Sequence, residues 1–535
     1  MNLEEPKNSW GWTILICLLA LSWQLGVRGL NEPDEGRYAS VATTMLRTGD
    51  WIVPHFQGHP HLTKPPLIYW LTALSFYAGG YNEWSARLVP ALAALGTLLL
   101  TWGLGTRWLG PRHGFYAALI LLSSPLFFIV ARLCDPNMLL TFWITLGLWA
   151  AVRWQDEGQP YQRTLYYLAH GLAFLTKGPV GCIIIGLGQW AFRGYLPIQP
   201  SRRLRWWPGI IMASLLGLSW YILMIIQQPD RLDYFVRYEL LDRIFTNTHR
   251  RGEPVWFFLW VLPLTFLPWL PLLVRAGARG WPALRASFPE GPLIRFTLFI
   301  LVFFSISRSK LPTYILPALP ALALLAAAQL DWDEVRSRSF RWPKRVAALL
   351  AVLFPVVMIL ISEAKTQTSH WLHGSTLLAL TLIIGLLLSM KRAPAYRWLV
   401  PAAAVILTSY AALLDVVRRH ERAMLGESTS QLVLEWRRVL DEPPREIYFT
   451  HAPAGLEFYL NQGPTPKFLS LAKSGTHMTV EEFSTQMTDY LRALSGRQAS
   501  VVVSTHHMQK LTSTGLTLPA HVVVQDRKYT VLQAP

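Results

Sequence analysis

The residues best suited to chemistry follow directly on a nearly uncharged stretch. After WGWTILICLLALSWQLGVRGL (10–30) comes NEPDEGRYASVATTMLRTGDW (31–51), which presents Asp34, Glu35, Arg37 and Tyr38 within five positions. A carboxylate can take a proton from an attacking hydroxyl. Arginine and lysine can grip a phosphate and stabilise the negative charge that grows on it as it leaves. Asp34 and Glu35 are sequence neighbours, so on a helix they point about 100° apart and cannot flank a sugar ring as a hydrolase's paired carboxylates do. One acid with several bases suits glycosyl transfer from a lipid-linked phosphate better than hydrolysis.

Further acids and bases recur at the edges of apolar blocks. They are Lys64 in GHPHLTKPPL, Arg132 and Asp135 in ARLCDPN, Lys177 in LTKGPVG, and Arg308, Lys310 and Tyr314 in SRSKLPTYILP. The stretch YFVRYELLDRIF adds Arg237, Glu239, Asp242 and Arg243. A single Lys or Arg at such an edge ordinarily snorkels to lipid headgroups, and an Asp34/Arg37 pair can simply support a helix. Their gathering is the informative point, because ionisable groups at membrane depth are expensive and mark functional sites.

The elements that must hold these residues follow from composition. The chain has 535 residues, 52% of them hydrophobic and only 15% charged, with a formal net charge of +17. The apolar residues come in blocks of the ~20-residue length that spans a hydrocarbon core. The basic residues sit in short loops between blocks and form no single patch, which argues against nucleic acid as a partner. Cys17, Cys134 and Cys182 have unrelated spacings and read as neither a disulfide framework nor a zinc motif. The first block lacks a basic n-region beyond Lys7 and reads as a retained span.

About thirteen spans are expected, near 10–30, 84–106, 114–132, 136–153, 164–177, 178–193, 207–226, 255–274, 292–306, 312–330, 346–363, 373–390 and 398–416. A cytoplasmic N-terminus puts about twenty Lys and Arg into cytoplasmic loops. The long loops 31–83 and 227–254, and the short ones at Asp135, Lys177 and Lys310, then share the far side. The expected fold is thus a polytopic α-helical membrane domain over 1–416, with an amphipathic first periplasmic loop at 31–83, followed by a soluble periplasmic α/β domain over 417–535. In that last part REIYFTH, PKFLSL, ASVVVSTH and HVVVQDRKYTVLQ read as strands, with helical patterns STSQLVLEWRRVL and TVEEFSTQMTDYLRALSG between them.

Within loop 31–83, Tyr38, Val41, Ala42 and Met45 follow the i, i+3, i+4, i+7 pattern of one helix face. Pro33 suits the first turn, Asp34 and Glu35 complement its positive dipole end, and Gly49 is placed to stop it. This predicts a helix lying at the membrane surface, with Asp34, Arg37 and Tyr38 on one side of its first turn.

At these residues the sequence resembles the C-type superfamily of membrane glycosyltransferases, and within it the family of lipid A aminoarabinose transferases and protein O-mannosyltransferases. DEGRYA, TGDWIVPHFQGHPHLTKPPLIYWL, FLTKGPVG and KLPTYILP carry the resemblance, in that order. It implies a polyprenyl-phosphate sugar donor, a lipid or protein acceptor and a periplasmic site in the bacterial cytoplasmic membrane. It implies Asp34 as catalytic acid with Arg37 and Tyr38 beside it, and Lys64 and Lys177 on the donor phosphate or sugar. It further implies Asp135 as a second acid near the site, Tyr314 as a pocket residue, and Arg243 as the arginine after an acidic stretch. Catalytic roles are assigned to Asp34, Arg37, Lys64 and Asp135, and donor contacts to Tyr38, Lys177, Arg243, Lys310 and Tyr314.

Two departures matter. The aminoarabinose transferases read Glu-Lys-Pro-Pro where this chain has Thr63-Lys64-Pro65-Pro66, and Glu-His where it has Glu239-Leu240. The first glutamate is associated with a metal site, and His55, His59, His61 and His249 remain as candidate ligands whose spacing matches no metal motif, so a divalent metal is left open and unassigned and no other cofactor is assigned. The alternatives are a transporter or flippase for a lipid-linked sugar, an oligosaccharide ligase or polymerase of the same membrane class, and an anchor for the C-terminal domain. A transporter would carry polar groups at mid-bilayer in broken, matching halves, whereas here the charges lie at span ends.

Overall fold

The computed structural model describes residues 9–195, 206–227, 252–278, 288–330, 446–449, 454–460, 467–468, 480–525 and 529–534, with Leu432, Val433, Trp436, Arg438 and Val439. In chain order the first helices are α1 (Ser9–Ser22), α2 (Asp34–Thr48), α3 (Leu67–Gly79), α4 (Glu83–Leu109), α5 (Pro111–Leu122), α6 (Pro125–Val130), α7 (Pro136–Glu157), α8 (Pro160–Lys177), α9 (Pro179–Ala191) and α10 (Trp207–Gln227). The chain divides into two compact units. One holds Met1–Leu25, Thr63–Ile68 and Val89–Asp415, the other Gly26–Leu62, Tyr69–Leu88 and Val416–Pro535.

Proline sets the punctuation of the first unit. Each of α5 to α9 opens on a proline at its first position, where the missing N–H costs nothing and φ is already helical. The same chemistry breaks spans expected to be continuous. The 114–132 block divides at Ser124, whose extended backbone (ψ 130) precedes Pro125, because proline pushes its predecessor out of the helical region. The 255–274 block becomes helices Phe257–Thr265 and Leu270–Ala278 bent by 117° around a 3₁₀ turn containing Pro268. The 312–330 block starts as a 3₁₀ helix, Pro312–Ala318, before Leu319–Ala327. α1 stops at Ser22, short of the expected 10–30 span, and Gln24 lies in the left-handed region at φ 56.

Among the described residues, α4 and α10 are long and apolar enough to cross a bilayer, and the bent pair is a third if it forms one span. The expected spans 346–363, 373–390 and 398–416 lie outside the described residues. α7 and α8 form a helical hairpin joined at Gly158 and Gln159, each about 30 Å long at 1.5 Å per residue. The end of α8 therefore returns to the level at which α7 begins. α10 packs closely on α8: a Cβ on Gly171 would lie 2.9 Å from Leu216 Cδ2, and one on Gly217 2.9 Å from Phe174 Cβ, the small-residue contact that lets membrane helices approach.

In the second unit, α2 buries Tyr38, Val41, Ala42 and Met45, none more than 6% exposed. It ends where Gly49 takes φ 71 and returns its N–H to Met45 O. A two-residue hairpin follows, β1 (His55–Phe56) on β2 (His59–Pro60). Later come β3 (Glu446–Phe449), β4 (Lys467–Phe468), β5 (Ala499–Ser504), β6 (His521–Gln525) and β7 (Tyr529–Gln533), ordered β4-β3-β5-β7-β6. β3 pairs parallel with β4 and β5, while β7 pairs antiparallel with β5 and β6, so HVVVQDRKYTVLQ is a hairpin of two strands. The two-residue period of β5 splits the core. Val501 and Val503 pack with Phe483, Met487 and Leu491 of the Val480–Ala493 helix, and Val502 packs with Trp436, Ile447 and Leu456 across the sheet. Each such side chain contributes roughly 1.5–3 kcal/mol when fully buried.

Candidate active site

The neighbouring acids at the start of α2 are treated oppositely. Asp34 keeps 58% of its side chain exposed and pairs with Arg37 Nη2 at 2.5 Å, one turn on. The Arg37 guanidinium also lies 5.6 Å from the centre of the Tyr38 ring, which stacks on Tyr69 at 5.6 Å. Glu35 is 1% exposed. Its Oε1 accepts from Arg87 Nε at 2.8 Å, and its Oε2 accepts from Arg87 Nη2 at 3.0 Å and Asn31 N at 2.9 Å and lies 2.8 Å from Arg28 Nη2. Arg87 also donates to the carbonyls of Arg28 and Gly29. Glu35 is thus a buried anchor for the turn, and Asp34 the acid that stays exposed. Sequence reasoning gave Glu35 only a dipole role and passed over Arg87; an arginine among apolar residues of α4 was the available signal.

In the first unit, Asp135 caps α7. Its Oδ1 accepts from Asn137 N at 2.7 Å and its Oδ2 from Asn137 Nδ2 at 2.9 Å, satisfying a donor that the helix leaves unpaired. The carbonyl end of the same amide accepts from Lys177 Nζ at 2.5 Å, and that ammonium sits 4.7 Å from the centre of the Tyr314 ring. The structure therefore joins three of the candidates, Asp135, Lys177 and Tyr314, through Asn137, which sequence reasoning did not select. Asn137 was accessible as the residue directly after an Asp-Pro helix start. An amide oxygen and a ring face orient the ammonium.

Lys64, between Thr63 and two prolines, donates to its neighbour's carbonyl, Thr63 O, at 2.7 Å. Lys310 is 4% exposed and donates to Glu253 O at 2.9 Å, beside the bridge between Gly252 and Ser309. Arg132 donates to the carbonyls of Ala20 and Trp23 at the end of α1 and lies over Phe128. Arg243 falls outside the described residues.

Among the described residues no three His, Cys, Asp or Glu side chains gather in a way that could hold a metal ion. The hydroxyl of Thr63 is no substitute for a carboxylate ligand, so metal stays unassigned and no step is routed through one.

Comparison with known proteins gives the class and then the family. The chain has the fold of ArnT from Cupriavidus metallidurans, whose crystal structure bound to undecaprenyl phosphate superposes with a TM-score of 0.77 over 98% of each chain at 24% identity. This is a mostly helical, polytopic membrane glycosyltransferase fold. A family model described as dolichyl-phosphate-mannose-protein mannosyltransferase matches residues 63–226. An undecaprenyl phosphate-alpha-4-amino-4-deoxy-L-arabinose arabinosyl transferase of Pseudomonas fluorescens is 30% identical over 76% of this chain and 71% of its own length. The corresponding Aeromonas salmonicida protein is 32% identical over 67% of this chain. The chain belongs to this family of arabinosyl transferases, which bears out the resemblance seen in the motifs. It spans just under two thirds of the length of several of these relatives: 66% for the A. salmonicida protein and 65% for that of Aeromonas hydrophila.

Proposed function

We propose that this protein transfers a sugar from a polyprenyl-phosphate donor to an envelope acceptor, the sugar being 4-amino-4-deoxy-L-arabinose as in the names of its relatives. The observation that carries the reading is the meeting of Asp135, Lys177 and Tyr314 around Asn137. It builds an oriented ammonium beside an acid, as an anionic lipid headgroup requires. Support for the donor comes from the ArnT structure of matching fold, which was solved with undecaprenyl phosphate.

In this reading Lys64, Lys177 and Arg243 hold the donor phosphate, and Tyr38, Lys310 and Tyr314 are further donor contacts. The acceptor oxygen attacks the anomeric carbon opposite the phosphate. The C1–O bond to the acceptor forms as the C1–O bond to the phosphate breaks, which inverts that centre and leaves polyprenyl phosphate. Asp34, oriented by Arg37, takes the acceptor's proton if the acceptor is a hydroxyl. If it is an ionised phosphate of a lipid A-type lipid, no base is needed; Asp34 with its partner Arg37 then serves as an orienting, charge-stabilising pair, and Asp135 keeps the Asn137–Lys177 array in register. The topology that goes with this has about thirteen spans in the bacterial inner membrane, a cytoplasmic N-terminus, and loop 31–83 with the residues after 416 in the periplasm.

The test is to incubate purified protein with undecaprenyl-phosphate aminoarabinose and lipid A, and to follow release of undecaprenyl phosphate by mass spectrometry. Asp34→Asn and Lys177→Ala should each lower kcat/KM by ~100-fold or more. Wild-type rates in both variants, or turnover only with another sugar donor, would overturn the site or the sugar respectively.

A further inference from the structure

The turn that presents Asp34 is gripped from the far end of the sequence. Glu32, two residues before Asp34, accepts from Ala454 N at 3.0 Å through Oε2 and from Gly455 N at 2.8 Å through Oε1. Ser40, buried on α2, donates to Ala454 O at 2.7 Å and accepts from Phe458 N at 3.3 Å. Tyr459 accepts from Leu30 N at 2.8 Å and donates to Glu83 at 3.2 Å. Phe458 packs on Phe76 at 5.4 Å, and Glu457 accepts from Gln57 N in the β1–β2 turn at 3.3 Å. Residues 454–460 therefore touch the approach to α2, α2 itself, the hairpin, α3 and the start of α4, all within one compact unit.

The contact is closest at the functional turn. A Cβ on Gly36 would lie 2.6 Å from Gly455 N and 2.7 Å from Glu32 Oε1, and one on Gly455 would lie 2.8 Å from Glu32 Oε1. Gly36 stands inside a helix, where alanine would be the better former. Local stability gives no reason for glycine between Glu35 and Arg37; the approach of a second backbone does. The segment's bonds to Glu32 and Ser40 are made by its backbone N–H and C=O groups, so a shift of the segment is passed to α2 as a shift of the turn.

We propose that residues 454–460 form a clasp that positions the Asp34 turn for transfer, with Glu32, Gly36, Ser40 and Gly455 as positioning residues. The clasp makes the region after the membrane part a determinant of rate and more than a cover. The inference rests on the reading of Asp34 as the transfer-site acid.

The test is steady-state kinetics of the purified full-length enzyme with undecaprenyl-phosphate aminoarabinose as donor. Displacing a reacting group by about 1 Å costs on the order of 100-fold, so Gly36→Ala and Gly455→Ala should lower kcat by ~10–100-fold with donor KM little changed. Glu32→Gln and Ser40→Ala, which add no bulk, should lower it by roughly 3–10-fold, and they carry the test if either glycine variant fails to fold. The decisive readout is a double-mutant cycle. In an Asp34→Asn background, Ser40→Ala or Gly36→Ala should cause no further loss, because the group they position is already gone. Full multiplication of the two losses, or unchanged kcat in the clasp variants while Asp34→Asn is slow, would overturn the clasp alone. A wild-type rate in Asp34→Asn would overturn the transfer-site reading and this inference with it.

Discussion

The start of α2 and the α7–α8 junction both present an acid near a base, but they are built by opposite means. At the junction, nearly everything is local. Asp135 caps its own helix through Asn137, and the hairpin of α7 and α8 brings Lys177 back to the same level. At α2 the local pair, Asp34 and Arg37, is exposed, and the turn is fixed by distant groups: Arg87 on Glu35, and residues 454–460 on Glu32, Gly36 and Ser40. A site held by helix ends tolerates change elsewhere in the chain. A site held by long-range partners is as stable as its farthest contact.

The largest expected effect comes from cutting the buried anchor. Glu35→Ala would strand the Arg87 guanidinium at 1% exposure and should cost roughly 3–5 kcal/mol, read as a lower thermal midpoint of the detergent-solubilised protein. The corresponding loss for Asp135→Ala at the junction should be about 1 kcal/mol, a single cap. Equal losses in the two variants would erase the contrast between the regions.

Next in size is a pH effect peculiar to the clasp. Burial pushes the Glu457 carboxyl up from 4.5 to about 7, against the lowering effects of the Gln57 N–H and Arg47. The folded protein then holds this proton more tightly than the unfolded chain does. Its contribution to stability is full below about pH 4.5 and is lost as pH rises toward about 7, flattening above that; the span is worth roughly 3 kcal/mol. Glu457→Gln should remove this part of the pH dependence. A thermal midpoint profile between pH 4.5 and 8 identical to wild type would show that Glu457 does not titrate there.

Smaller again is Asn137→Ala at the junction. It frees Lys177 and removes the side-chain bond to Asp135 while keeping the backbone cap, and should lower kcat/KM by about tenfold, equivalent to one hydrogen bond of about 1.4 kcal/mol, with little change in thermal midpoint. The smallest effect is on stability in Arg37→Ala. The Asp34–Arg37 pair is exposed, so the loss should stay below about 1 kcal/mol even where transfer slows. A large loss of stability there would mean that the pair supports the fold and is not simply displayed.

These contrasts match what could be read from the residues. The α2 helix was legible because its apolar face, Tyr38, Val41, Ala42 and Met45, repeats every turn and Gly49 closes it. Asp135, Lys177 and Tyr314 were legible one by one, as charged or polar groups at helix ends, and the threading of the chain put them on one side. That Arg87 pairs with Glu35 was not legible. Arg87 lies 52 residues away, and nothing in a local pattern distinguishes an arginine that pairs from one that snorkels. Nothing in the segment AGLEFYL (454–460) singles it out; its bonds to Glu32 and Ser40 come from the backbone of Ala454, Gly455 and Phe458, which carries no side-chain signal.

By itself the sequence determined what acts within a turn or two: helix starts at proline, the stop at Gly49, the two-residue period of ASVVVS, and the types of residue offered to a phosphate. Tertiary structure alone decided which of two adjacent acids was buried and which stayed exposed, and where apolar blocks with internal prolines bent. The reason is that propensity and capping are short-range, whereas burial of a charge depends on whether packing brings an opposite charge to it from far along the chain.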